Sequence, residues 1–217
     1  GHIEKASAGT YNYGYIDCLI SGSRTLTYNY GKITDSQNKI TYNYGTIEKN
    51  NALVDTNYNI IENNTGTINR YSSDATLNEN SGTINTLSKG SVRKNTGKIN
   101  DVNDKNVTIY NYAGGTVGKS DNAWGVRACT VWNMGGIVQG YSSYADNVKV
   151  YNFEGGTVSN LRKGSVIYNL GGTITDSSTA QVLNCYKVNI NSSFVETWND
   201  KFIINPDTGE VWLPEGE

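Results

Sequence analysis

The sequence predicts an all-β chain, a single-stranded parallel solenoid of about ten or eleven coils closed by a C-terminal β-hairpin cap. Three observations lead there. A glycine recurs along most of the 217 residues, and an aliphatic residue follows it two positions later. An asparagine stands just ahead of each of those glycines. The composition is polar without being charged: 24 Gly and 30 Asn against 18% charged residues, which favours turns and ladders over helices. Sixteen Tyr, four Trp and regularly placed Ile and Val set the chain apart from a disordered one. The repeats are expected over residues 1–190 and the cap over 191–217.

The glycine column is Gly14, Gly31, Gly45, Gly66, Gly82, Gly97, Gly115, Gly136, Gly156 and Gly172, at spacings from 14 to 21 residues. Two positions on stand Ile16, Ile33, Ile47, Ile68, Ile84, Ile99, Val117, Val138, Val158 and Ile174. The residues on either side of these are mostly polar, and out-in-out alternation is the period of a strand with one buried face. A second aliphatic sits five residues before most glycines (Leu26, Ile40, Ile61, Leu77, Val92, Val131, Ile167) and six before two of them (Ile109, Val150). Each unit therefore reads as a short strand, a tight corner, a second short strand and a variable polar loop. Such a unit cannot bury its own apolar face, and stacking on its neighbours solves this. At ~4.8 Å per coil the rod is roughly 50 Å long. A right-handed coil follows from the handedness of parallel crossovers.

The asparagine column is Asn12, Asn29, Asn43, Asn64, Asn80, Asn95, Asn111, Asn133, Asn152 and Asn169, with Asn184 as its continuation. Asparagine tolerates left-handed backbone angles and bonds nearby backbone groups. Stacked at one corner, its side chains also bond their equivalents above and below. From Asn111 onward an extra glycine enters ("NYAGGTV", "NMGGIV"), so the corner is expected to change type there. With these ten copies the chain resembles parallel β-helix proteins of the pectate-lyase-like group over roughly residues 10–190. The resemblance implies an internal asparagine ladder at a tight turn, in a protein of bacterial-surface or phage-fibre type.

Ahead of each Asn runs a further column: Tyr11, Tyr28, Tyr42, Asn63, Glu79, Lys94, Tyr110, Trp132, Tyr151, Tyr168. Glu79 and Lys94 are costly to bury, so the column is expected to face solvent, with Glu79 beside Lys94. Its aromatics then form two ladders, one at each end of the rod. Tyr13, Tyr30, Tyr44, Tyr112, Met134 and Phe153 make a similar column on the other side of the Asn. Two roles fit: stacking that stabilises the coil, or a platform for sugar rings or another protein. On the second role Tyr28, Tyr42, Tyr110, Trp132, Tyr151 and Tyr168 are the candidate ligand-binding residues.

At the chain end, "FIINPDTGEVWL" reads as a hairpin around Asn205-Pro206-Asp207-Thr208-Gly209. Phe194, Trp198, Phe202 and Trp212 are expected to cover the last coil's core and edge. An oligomerisation or attachment element is the alternative.

Several function classes lose support. A net charge of −2 gives no electrostatic case for nucleic acid or an anionic membrane, and no apolar run approaches a membrane span. Gly1-His2 reads as a cloning remnant, with room for a leader removed ahead of it. Cys18, Cys129 and Cys185 are odd in number, lack metal spacing and read as buried free thiols. With His2 the only histidine, and no nucleotide-binding motif, no catalytic residue, metal or cofactor is assigned. A β-helix polysaccharide lyase or glycoside hydrolase needs clustered carboxylates, or basic residues near a calcium site. Its best candidates, Asp121 and Asp146, read as readily as turn residues. The column four after the glycine (Asp35, Lys49, Arg70, Asp101, Lys119, Asp176) is mixed in sign and reads as a solvated face. The threonine column is interrupted by Lys32, Lys98, Tyr15 and Ile137, which argues against ice binding.

The expected function is therefore a non-catalytic, extracellular, cell-surface or virion solenoid, adhesin-like or part of a fibre. It would bind a glycan or a surface protein through exposed aromatics. A polysaccharide-cleaving enzyme and a purely structural spacer are the alternatives.

Overall fold

A computed structural model describes residues 1–22, 25–102, 104–119, 125–140, 147–175, 179–189 and 201–216. Among them the chain forms 26 strands and no helix. The strands alternate between a 15-stranded sheet and an 11-stranded sheet, each coil adding one parallel strand to both. The result is the parallel β-solenoid that the repeat predicts.

The aliphatic columns become the core. In the larger sheet Ile16, Ile33, Ile47 and Ile61 stand in register on successive coils. In the smaller sheet Leu26, Ile40, Val54, Ile68, Ile84 and Ile99 do the same. All are buried. Each coil thus contributes about two inward aliphatics, at about 1.5–3 kcal/mol of burial each, and the row only closes when the next coil stacks.

The asparagines depart from the single column expected. They form two ladders on opposite corners of the coil. The first runs Asn12–Asn29–Asn43–Asn57, each Nδ2 donating to the next Oδ1 at 2.7 Å, where the smaller sheet turns into the larger. The second runs Asn50–Asn64–Asn80–Asn95–Asn111–Asn133–Asn152 at 2.7–2.9 Å, where the larger sheet turns into the smaller. The bond from Asn152 to Asn169 lengthens to 3.4 Å, and Asn184, though in register, is exposed. The exchange of corners happens between Gly45 and Gly66, which the glycine spacing alone reads as one long unit. Two more corners lie inside it, Asn50-Asn51-Ala52 and Asn57-Tyr58-Asn59, between the strands Thr46–Asn50, Leu53–Asn57 and Ile60–Asn64. Neither carries a glycine, so the column passed over them. With both corners tight the coil shrinks to 14 residues. Beyond it, the first ladder's corner is occupied by apolar side chains: Tyr71 stands opposite Asn57, followed by Leu87 and Val102.

Of the two roles expected for asparagine, the ladder holds and the left-handed backbone angle does not. Among the described residues no ladder asparagine has a positive φ. It builds the ladder, and most of the amides also reach a carbonyl of their own corner (Asn43 Nδ2 to Gly45 O, 3.0 Å). The corner does change type after Asn95, as expected: the added glycines adopt positive φ, as Gly114 does at +87°. The earlier corners need glycine because successive corners nearly touch.

The C-terminal antiparallel strands form a cap-like element, set along the flank of the rod. Val211–Pro214 pairs with residues 185–188 of the strand Gln181–Val188 and with Ile203–Ile204. The turn between them is the Asn-Pro-Asp-Thr-Gly stretch: Asn205 Oδ1 accepts from the Asp207 amide at 2.9 Å, and Gly209 takes φ +71°. Ile203 packs on Phe153 and Leu170, beside Trp132, Tyr151, Tyr168 and Trp212. The tip is held by Tyr112, whose hydroxyl donates to Asp207 Oδ1 at 3.0 Å across 95 residues of sequence. Val182, on the last core row, remains 42% exposed. The expected end-covering residues Phe194 and Trp198 lie outside the described residues. Removing the tip bond by Tyr112→Phe is expected to cost about 1 kcal/mol locally. Amide exchange over residues 203–213 should quicken while the solenoid's strands keep their protection.

Candidate functional site

The six candidate aromatics fall on two different sheets. Tyr28 and Tyr42 lie in the smaller sheet, in register with Tyr11. Their rings stack at 5.1 and 5.3 Å, and the corner column Tyr13–Tyr30–Tyr44–Tyr58 stacks alongside at 4.9–5.1 Å. Each inner ring therefore has both faces covered by its neighbours and shows solvent an edge. Burial pushes the Tyr44 hydroxyl's pKa up, with the surrounding tyrosines adding to the shift.

Tyr110, Trp132, Tyr151 and Tyr168 lie in the larger sheet on the strands Thr108–Tyr112, Thr130–Met134, Lys149–Phe153 and Val166–Leu170. They stand in register and stack at 6.0, 4.2 and 5.0 Å. All four are half-buried. On the same outer face, two residues earlier on the strands, runs a row that is polar through Thr76, Ser91, Thr108, Thr130 and Lys149 and ends in Val166. Further along each strand, Phe153 and Leu170 are covered by the C-terminal hairpin.

A groove borders each end of this ladder. One, of about 500 Å³, is lined by Asp74, Thr76, Gly90, Ser91, Arg93, Asn106, Thr108 and Tyr110. The other, of about 380 Å³, opens between the ladder and the hairpin, with Tyr151, Tyr168, Leu183, Phe202, Ile203 and Pro214 for walls and Lys149, Lys201 and Glu215 among its polar groups. The first groove coincides with an irregularity in the sheet. Val92 pairs with Ile109 and Asn95 with Asn111, so Arg93 and Lys94 together stand opposite Tyr110 alone. Bulges of this kind re-aim side chains. Here Lys94 meets Glu79 at 3.0 Å, as the sequence predicts, and Arg93 lines the groove. Asp74 across it pairs with Lys89 at 3.6 Å.

Sequence reasoning grouped Tyr28 and Tyr42 with the other four because it ran one column through both sheets. It missed Arg93 and the hydroxyl row. A signal was present: the spacing from aliphatic to Asn falls from three residues (Val92 to Asn95) to two (Ile109 to Asn111). The column of Asp35, Lys49, Arg70 and Asp101 also divides, Asp35 beside Lys49 in one sheet and Arg70 and Asp101 in the other. Cys129 is buried and its thiol is pushed up to about 12 by desolvation, whereas Cys18 and Cys185 are half-buried. Asp121, Asp146 and Asp176 lie outside the described residues. Among the described residues no three His, Cys, Asp or Glu side chains gather as a metal site. Compared with family models, curated proteins and solved structures, the chain finds no match.

Proposed function

We propose that this chain is a non-catalytic glycan-binding solenoid, adhesin-like or part of a fibre, acting at a cell surface or on a virion. Its binding face is the outer face of the larger sheet, from the groove at Arg93 to the groove under the hairpin. The observation that carries this reading is the half-exposed ladder Tyr110–Trp132–Tyr151–Tyr168 with a groove at each end and a hydroxyl row beside it. Aromatic edges and faces accept the apolar side of a sugar ring, and hydroxyls, amides and charged groups take its hydroxyls. A β-solenoid frame holds such groups at fixed spacing, so binding needs little ordering of the protein. The tyrosine array of the smaller sheet lines neither groove and is assigned to stabilising the first coils.

The test is a glycan array combined with product analysis. The protein should bind one class of linear glycan saturably and leave its length unchanged on prolonged incubation. Chain cleavage lost in Asp121→Ala or Asp146→Ala would establish the enzyme instead. Binding to no glycan at all would leave a spacer.

A further inference from the structure

We propose that the tyrosine array of the smaller sheet, besides stabilising the first coils, is a self-association surface through which two copies of this chain pair with their rods antiparallel. The pairing goes beyond the glycan-binding reading and does not depend on it. Among the described residues eleven large apolar side chains are exposed, and five of them sit in this one array: Tyr11, Tyr13, Tyr30, Tyr44 and Tyr58, at 39–74%. Stacking makes them contiguous, with centroids 4.9–5.9 Å apart. Their open edges form one patch on the order of 500 Å², taking roughly 200 Å² per side chain. Patches of that size on a single chain mark interaction sites. Thr27, Tyr28, Thr41 and Tyr42, all half-buried, border it on the strands Leu26–Asn29 and Ile40–Asn43. With them the face comes close to the ~800 Å² that each partner gives to a stable pair.

The charges around the array select the occupant. No charged side chain interrupts it, and beside it Lys32 is closed off by Glu48 and Lys39 by Asp55. A partner recognised by its charge finds no complementary field there. An aromatic centre inside a rim of polar and paired groups is the anatomy of a neutral interface. A second copy suits it in two ways. Phenol hydroxyls donate and accept, so a row of them is complementary to itself. The partner's rings also repeat at the same coil step of ~4.8 Å, so the rows match along the whole patch. The orientation follows from Arg70, which is exposed and takes the next place after Thr56 in the row of Tyr28 and Tyr42. In a parallel pair each Arg70 would face its own copy, a like-charge contact. In an antiparallel pair the two lie at opposite ends, and Tyr30 faces the partner's Tyr44. The core lies between the two sheets, so their outer faces point away from each other. Pairing through the smaller sheet therefore leaves both larger-sheet faces open, and a surface dense in glycan is held at two points at once.

The experiment is sedimentation velocity of the whole chain without glycan, from about 1 to 100 μM, where an interface of this size associates. The mass should rise from the 23.7 kDa of one chain toward twice that. Two double variants put like charges on the facing pair: Tyr30→Lys with Tyr44→Lys, and Tyr30→Glu with Tyr44→Glu. Each alone should pair at least tenfold more weakly than wild type, and an equal mixture of the two should recover the mass of a pair. The variant carrying Trp132→Ala and Tyr151→Ala should pair as wild type. Circular dichroism shows whether each variant keeps its strands. If the double variants unfold, Tyr13→Lys carries the reading, since Tyr13 is 74% exposed at the outer end of its column and faces the partner's Tyr58. It should weaken pairing at least threefold. A wild type that keeps the mass of one chain across the whole range overturns the proposal. So do folded charge variants that pair as wild type, a mixture of folded variants that stays unpaired, or pairing lost in the Trp132 variant.

Discussion

Asn95→Asp is expected to destabilise the rod by about 3–5 kcal/mol at neutral pH, the range for a buried charge left without compensation. Asn95 is fully buried in the middle of the longer ladder. Its oxygen accepts from Asn80 Nδ2 at 2.7 Å, and its own Nδ2 donates to Asn111 Oδ1 at 2.8 Å and to Gly97 O at 3.3 Å. A carboxylate keeps the first bond and turns the others into facing acceptors. Burial raises the carboxyl pKa in the folded state. The protonated form, with one donor restored, is therefore fully present below the ordinary carboxylate value of about 4, and stability is lost as pH rises through the raised folded value. Urea unfolding at pH 4 and pH 7 reads this directly. Asn95→Ala lacks the charge and should cost about 1–3 kcal/mol at both pH values. Because each coil contacts mainly its neighbours, the loss should also split one cooperative transition into two. An unchanged midpoint for Asn95→Asp at neutral pH contradicts the ladder's role.

Gly82→Ala is the second large effect, expected at about 1–3 kcal/mol as overpacking against rigid backbone. A Cβ at Gly82 would lie 2.0 Å from Gly66 O, the carbonyl of the corner below, so the two coils must separate. The adjacent bond from the Thr83 amide to Gly66 O, 2.8 Å, is strained by the same movement. The corner at Ala52 carries a Cβ natively, and Ala52→Gly should change stability by less than about 1 kcal/mol, mainly through the unfolded chain. Thermal unfolding of the two variants side by side separates this account from one in which any tight corner simply prefers glycine.

These two residues also show how far the sequence could be read. The solenoid, its core columns and the stacking of Glu79 on Lys94 were legible because every coil repeats the same inward aliphatic and the same corner. The exchange of corners near Asn50 and Asn57 was not. The repeat there loses its glycine while keeping its asparagine, and an alignment anchored on glycine steps over it. The aromatic columns inherited that error, so Tyr28 and Trp132 read as one series although they sit on different sheets. Arg93 was illegible for another reason. Its position depends on a bulge, which changes where one side chain points without changing the composition around it. The hairpin turn was plain from Asn-Pro-Asp-Thr-Gly, but nothing local predicts that Asp207 meets Tyr112 95 residues away.

The direct test of the binding face is a pair of dissociation constants for the glycan that binds best. The first is for a variant carrying Trp132→Ala and Tyr151→Ala, the second for one carrying Tyr28→Ala and Tyr42→Ala. The face assigned here predicts that the first pair weakens binding at least a hundredfold, about 2.7 kcal/mol, and that the second pair lowers thermal stability and leaves affinity within twofold of wild type. Loss of affinity in the tyrosine pair with full binding by the Trp132 pair would place the ligand on the other sheet and contradict the account.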